Sequence, residues 1–126
     1  MIKKTILIVI SVFMFSGITF AATQASFEGK IKGANCIVNK GVCPEERSDP
    51  RLALEREFVL VVPSGDYYFM PNISRSIKAD FFNKPVRITG DLRGQIIHVS
   101  IIEEKINDTY LEVWNWKKIQ QKLNRG

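Results

Sequence analysis

Alternating apolar and polar positions dominate the chain from residue 26 onward and predict a protein built mainly of β-strands. Phe58–Val62 is apolar throughout, as in a strand that is covered on both faces. Gly65 supplies the positive φ that a tight turn requires, so the next strand forms a hairpin with this one. In the last strong strand, Ile97, Val99 and Ile101 share one face. That strand is Gln95–Ile102, and the other predicted strands are Ser26–Val38, Tyr67–Met70 and Val86–Leu92. Thr109–Trp114 is predicted as a short strand that pairs back.

One helix is predicted between the third and fourth strands, over Ser74–Phe82. Ser74 is a favourable N-cap residue, and Ile77 and Phe81 lie four positions apart on one helix face. Pro85 prevents the helix from continuing. The order of elements is therefore strand, loop, hairpin, helix, strand and strand.

Two shorter helical segments are predicted, each from the residue type at its N-cap position. Asp49 and Pro50 have the residue types of an N-cap and a first helical position, so one helical turn is expected through Leu54. Asn115 has the residue type that caps a C-terminal helix. The apolar stripe of that helix consists of Trp116, Ile119 and Leu123.

This order of elements resembles the OB-fold, a five-stranded Greek-key barrel with a helix between its third and fourth strands. Gly29 and Gly33 in the first strand suit the sharp bend that such a barrel requires. The segment Lys84–Gly90 is similar to the Val-x-Val-x-Gly fourth strand of these domains. The resemblance is to small secreted bacterial OB-fold proteins of unknown role, and it implies a barrel over residues 26–114. A fold resemblance of this kind does not by itself imply a function.

The N-terminal segment predicts export. Lys3 and Lys4 precede an apolar run. The run is too short to cross a membrane, because a membrane-spanning helix needs about 20 residues. Residues 1–21 are therefore interpreted as a signal peptide, with cleavage after Ala21 or Ala25 and a periplasmic or secreted product. A permanent membrane anchor is the alternative.

The charge of the chain is concentrated at its two ends. The net charge is +5, and loss of Lys3 and Lys4 lowers it to +3. A basic tail over residues 115–126 carries Lys117, Lys118, Lys122 and Arg125, so the body between the ends is close to neutral. A near-neutral body disfavours nucleic acid as a partner, because a binding groove for nucleic acid usually needs a basic face. With Trp116, the apolar stripe of the tail is interpreted as docking on the barrel with its charges in solvent; contact with an anionic membrane surface is the alternative.

The two cysteines, Cys36 and Cys43, are predicted to form a disulfide, because the pair is close in sequence and the chain is expected to be exported. A redox pair or a metal site remains the alternative, although the spacing is not that of a redox motif or a zinc site. We predict no metal site and no cofactor. Glu45, Glu46 and Asp49 are interpreted as a solvated loop, since they lack the spacing of a calcium-binding loop.

The candidate ligand-binding face consists of Tyr67, Tyr68, Phe69 and the single histidine, His98. Aromatic side chains in this part of an OB-fold often stack on bases or sugars. No nucleophile–base set is recognisable, so no catalytic residue is predicted. The sequence is interpreted as a non-enzymatic exported binding module for an envelope protein, a peptide or a small ligand. A metal- or redox-active protein that uses Cys36 and Cys43, or an oligonucleotide-binding OB-fold, would be the alternatives, and the sequence does not fix the oligomeric state.

Overall fold

The structure is a computed structural model, and it describes residues 24–126. Within this part of the chain there are six strands and four short helices. The predicted signal peptide lies outside the described residues, whereas Ala25, the second predicted cleavage position, lies in the first strand opposite Gly90. In chain order the elements are β1 (Gln24–Gly33), α1 (Ala34–Val38), α2 (Pro50–Leu54), β2 (Phe58–Val61), β3 (Tyr67–Phe69), α3 (Arg75–Asp80), β4 (Pro85–Arg93), β5 (Ile96–Ile106), β6 (Thr109–Asn115) and α4 (Trp116–Leu123).

The six strands form one sheet in the order β3-β2-β1-β4-β5-β6, and neighbouring strands in this order are antiparallel. β3 also pairs with β5 in parallel, where Phe69 lies opposite Ile96. The first five strands in the chain are therefore joined in a closed ring of pairings. β6, the short strand that was predicted to pair back, extends the sheet beyond β5.

The three helices that local signals predicted are present. The Ser74 hydroxyl accepts a hydrogen bond from the Ile77 amide and caps α3. The Asp49 carboxylate caps α2, and the Asn115 side chain caps α4. In α3, however, Lys78 is buried and forms an ion pair with Glu57, a contact that the helix pattern did not predict.

The prediction that the first strand continues to Val38 was wrong, because Ala34–Val38 is the helix α1. The Glu55 carboxylate explains this change of structure. It accepts hydrogen bonds from the Asn35 amide at 2.9 Å and from the Cys36 amide at 3.3 Å, two groups at the start of a helix that have no partner within it. The cap comes from a residue far away in sequence, so no local signal marks this helix.

A bulge between β4 and β5 changes which residues of β5 face the core. Thr89 lies opposite Ile101 and Gly90 lies opposite Val99, so Ser100 is the extra residue. The Ser100 hydroxyl donates a hydrogen bond to the Thr89 carbonyl oxygen at 3.0 Å. The prediction that Ile101 shares the face of Ile97 and Val99 was therefore wrong, since the bulge turns Ile102 into the core instead.

Most residues of the core lie on strands of the ring. Trp114 of β6 also belongs to the core, and Trp116 and Ile119 of α4 pack against it. Among residues 24–126 no helix has the length and apolar character needed to cross a bilayer. The buried core residues are Ile31, Leu52, Phe58, Leu60, Met70, Ile73, Phe82, Val86, Ile88, Ile97, Val99, Ile102 and Trp114.

Candidate ligand-binding site

Cys36 and Cys43 form the predicted disulfide. The bond ties α1 to the loop that follows it, and both cysteines of the chain are used in it. No group of three or more histidine, cysteine, aspartate or glutamate side chains within residues 24–126 is placed to hold a metal ion.

The four residues of the predicted ligand-binding face lie in three separate groups. Tyr67 and Phe69 point to the same side of β3, and their rings contact each other edge to face at 6.0 Å. Tyr68 points to the other side, where its ring lies 5.0 Å from that of Phe27 and packs against the core. His98 is exposed, and its ring lies 6.2 Å from that of Trp116.

The basic tail forms α4 and four further residues, and its apolar stripe is largely used for docking. Trp116 and Ile119 pack against the core, and the Trp116 ring stacks on Trp114. Lys118 forms an ion pair with Glu112 at 2.7 Å, and this hydrogen bond lowers the pKa of the Glu112 carboxyl. The remaining cations, Lys117, Lys122 and Arg125, are exposed.

A cleft that the sequence did not predict lies on the outer surface of the sheet, across β1. It has a volume of about 380 Å³, and we call it the lysine cleft. It is lined by β1, the end of β2, the start of β4 and the hairpin between β5 and β6. Its lining residues are Glu28, Gly29, Lys30, Lys32, Val61, Val62, Pro63, Pro85, Val86, Lys105 and Tyr110.

Strand periodicity and register place the polar residues of the lysine cleft. Lys30 and Lys32 occupy alternate positions of β1, and Lys30 lies between Val61 of β2 and Pro85 of β4. Lys105 and Tyr110 are opposite one another in the β5–β6 hairpin. Gly29 allows β2 to approach closely, because a Cβ atom there would lie 2.2 Å from the Val61 carbonyl oxygen.

Positive charge exceeds negative charge in the lysine cleft. Lys30, Lys32 and Lys105 line it together with one acid, Glu28, and none of the three lysines forms an ion pair with a residue in the 24–126 range. Partial burial lowers the pKa of Lys32, and the nearby charge of Lys30 lowers it further, while Glu45 opposes the shift.

Tyr110 forms the aromatic wall of the lysine cleft. The Arg87 guanidinium lies 4.1 Å from the centre of its ring and also pairs with Glu103, so the ring is held in place. Burial, and then the nearby Glu28 carboxylate, raise the pKa of the Tyr110 hydroxyl. Tyr110 therefore remains a neutral hydrogen-bond donor at physiological pH.

The lysine cleft combines an apolar floor with three lysines that form no ion pair within residues 24–126, and this arrangement is suited to binding. The floor consists of the apolar lining residues Gly29, Val61, Val62, Pro63, Pro85 and Val86. The sequence signal for it was weak, since the alternation in β1 put Lys30 and Lys32 on the outer face but could not show that Lys105 and Tyr110 join them. No family model, curated protein or solved structure matches this chain.

Proposed function

We propose that this chain is an exported, non-enzymatic binding module that holds its ligand in the lysine cleft. The single observation that supports the proposal is a set of three lysines around an apolar floor, none of which forms an ion pair within residues 24–126. A small-molecule site typically has an apolar lining with a few polar groups that fix the ligand's orientation.

The proposed architecture is an OB-fold-like barrel made of β1–β5. The closed ring of pairings and the position of α3 between β3 and β4 support it. In this proposal β6 and α4 are additions to the barrel: β6 extends the sheet beyond β5, Trp114 belongs to the core and Trp116 packs against it. The lysine cleft then crosses the central first strand of the barrel.

Export is supported by the Cys36–Cys43 disulfide, which is typical of proteins in oxidising compartments, together with the N-terminal sequence. Cleavage after Ala21 would leave β1 whole, whereas cleavage after Ala25 would remove its first two residues. N-terminal sequencing of the protein recovered from the cell envelope should therefore start at Ala22. A product that still begins at Met1 would contradict export by cleavage.

Ligand capture tests the binding module. The purified mature protein is incubated with an extract of its own cell envelope, and bound small molecules are released and identified by mass spectrometry. The double variant Lys30→Glu/Lys105→Glu should retain at most about a tenth of the ligand, whereas Lys117→Glu/Lys122→Glu, with the same change in charge on α4, should retain all of it. Equal capture by both variants, or no specific capture by the unmodified protein, would overturn the proposal.

A further inference from the structure

We infer that the lysine cleft binds a small amphipathic anion, whose apolar chain lies on the floor and whose acidic head group contacts Lys30, Lys32 and Lys105. The inference rests on the proposed function and specifies the class of ligand. The charges are complementary, because three cations and one acid line the cleft. A carboxylate or a phosphate head group would supply the ion-pair partner that none of the three lysines has within the described part of the chain.

The floor of the cleft favours an apolar chain over an extended peptide. At Lys30, β1 is paired with Val61 of β2 on one side and with Pro85 of β4 on the other, so the backbone at this position offers no free strand edge. Two of the floor residues, Pro63 and Pro85, lack the amide hydrogen that a peptide backbone would need. Peptides that bind by adding a strand require such an edge, whereas an alkyl chain requires only apolar surface.

The aromatic content of the cleft disfavours nucleic acid. Tyr110 is the sole aromatic residue among those that line the cleft, and the Arg87 guanidinium lies against its ring. Single-stranded nucleic acid is usually bound by several exposed rings on which successive bases stack. Tyr67 and Phe69, which could supply such rings, do not line this cleft.

The size of the cleft limits the ligand. Its volume of about 380 Å³ is near the lower end of the range for small-molecule sites, which is roughly 300–1,000 Å³. One chain with one head group fits this volume better than a phospholipid with two chains. Lys30 and Lys32 lie two residues apart on one face of β1, and Lys32 is partly buried, so this pair is the place for the head group. An anion there would compensate two neighbouring positive charges.

Isothermal titration calorimetry with defined probes tests the inference on the mature protein. The probes are dodecanoate and dodecyl phosphate, each below its micelle concentration, with dodecanol as the uncharged chain and acetate as the charge without a chain. We expect both charged chains to bind at one site, and at least tenfold more tightly than either control probe. The tighter of the two charged probes identifies the head group.

Substitutions locate the binding site. Lys32→Met and Lys105→Met keep the length of the apolar stem but remove the charge, and each should weaken dodecanoate binding about tenfold. Lys122→Met, which makes the same change on the exposed face of α4, should leave it unchanged. Lys30→Gln serves as a second variant of the cleft, and thermal melting of all four proteins confirms that they are folded.

The same titrations separate the failure of this inference from the failure of the proposed function. If dodecanol binds as tightly as dodecanoate, the anionic class is wrong. If hexaglutamate or a ten-nucleotide thymidine oligomer binds more tightly than the charged chains, and the cleft variants abolish that binding, the ligand class is wrong but the binding module stands. If no probe binds in a manner that depends on Lys32 and Lys105, and envelope capture also fails, both proposals are overturned.

Discussion

At the scale of one residue, the charge of Lys32 in the lysine cleft lowers the free energy of unfolding. Partial burial, and then repulsion from Lys30, lower the pKa of Lys32. The folded state therefore holds this proton less tightly than the unfolded state does, so the charged form of Lys32 opposes folding at low and neutral pH. That contribution would diminish as the pH rises through the lowered pKa of the folded state. An anion bound beside Lys32 would act in the opposite direction and raise its pKa, which is the behaviour expected of a binding residue.

The fold requires a glycine at position 90, because β4 and β5 approach each other closely beside the bulge. A Cβ atom at Gly90 would lie 2.2 Å from the His98 carbonyl oxygen, which is backbone and has little freedom to move. We predict that Gly90→Ala lowers the free energy of unfolding by about 1–3 kcal/mol, as overpacking typically does. Urea denaturation measures the change.

The matched control for Gly90 is Gly41→Ala. The nearest atom to a Cβ at Gly41 is the Cys36 Cα at 3.9 Å, an ordinary contact, so this variant should differ from the unmodified protein by less than about 0.5 kcal/mol. Equal stability of the two variants would show that β4 and β5 are not in close contact at Gly90.

At the scale of one element, α1 depends on a side chain outside it. Its N-cap residue, Gly33, has no side chain to offer, and the Glu55 carboxylate binds the amides of Asn35 and Cys36 instead. Glu55 is itself buried. We predict that Glu55→Gln lowers the free energy of unfolding by about 1–3 kcal/mol, because one of the two acceptors becomes a donor that faces an amide hydrogen.

Chemical denaturation of Glu55→Gln beside Glu46→Gln measures this contribution. Glu46 is exposed in the loop before α2, so its substitution should change the stability by less than about 0.5 kcal/mol. If Glu55→Gln is as stable as Glu46→Gln, the buried carboxylate does not cap α1.

Comparison of the helices shows which elements the sequence could predict. α2, α3 and α4 were predicted because each begins with a cap only two or three residues from the amide that it binds. α1 was not predicted, because its cap is about 20 residues away in sequence. The same limit explains why the lysine cleft was not predicted, since Lys30 and Lys105 are brought together only by the pairing of β1 with β4 and of β4 with β5.

At the scale of the whole molecule, the ring of strands closes at a short junction between β3 and β5. Phe69 and Ile96 are the single residue pair that joins these strands, and the Phe69 amide donates a hydrogen bond to the Gln95 carbonyl oxygen at 2.7 Å. Beyond this pair, the Asn72 side chain pairs with the backbone of β5 in the way that the backbone of a strand would. Its amide nitrogen donates to the Val99 carbonyl oxygen at 2.8 Å, and its oxygen accepts from the Val99 amide at 2.9 Å.

Asn72 therefore makes with Val99 the two hydrogen bonds that a residue of a neighbouring strand would make. Aspartate has the same shape but cannot donate, so Asn72→Asp would place a carboxylate against the Val99 carbonyl oxygen. We predict a loss of about 1–3 kcal/mol in the free energy of unfolding, since a buried backbone acceptor loses its partner. The loss should be accompanied by faster hydrogen exchange in both β3 and β5, because the junction holds the two strands together.

The control for Asn72 is Asn124→Asp, which makes the same chemical change at the exposed end of α4. It should leave hydrogen exchange in β3 and β5 unchanged. Faster exchange in β5 alone would mean that the ring of strands is not held closed at Asn72. If the Asn72 variant is as stable as the Asn124 variant, the hydrogen bonds between Asn72 and Val99 do not stabilise the fold, and the β3–β5 junction depends on the Phe69–Ile96 pair alone.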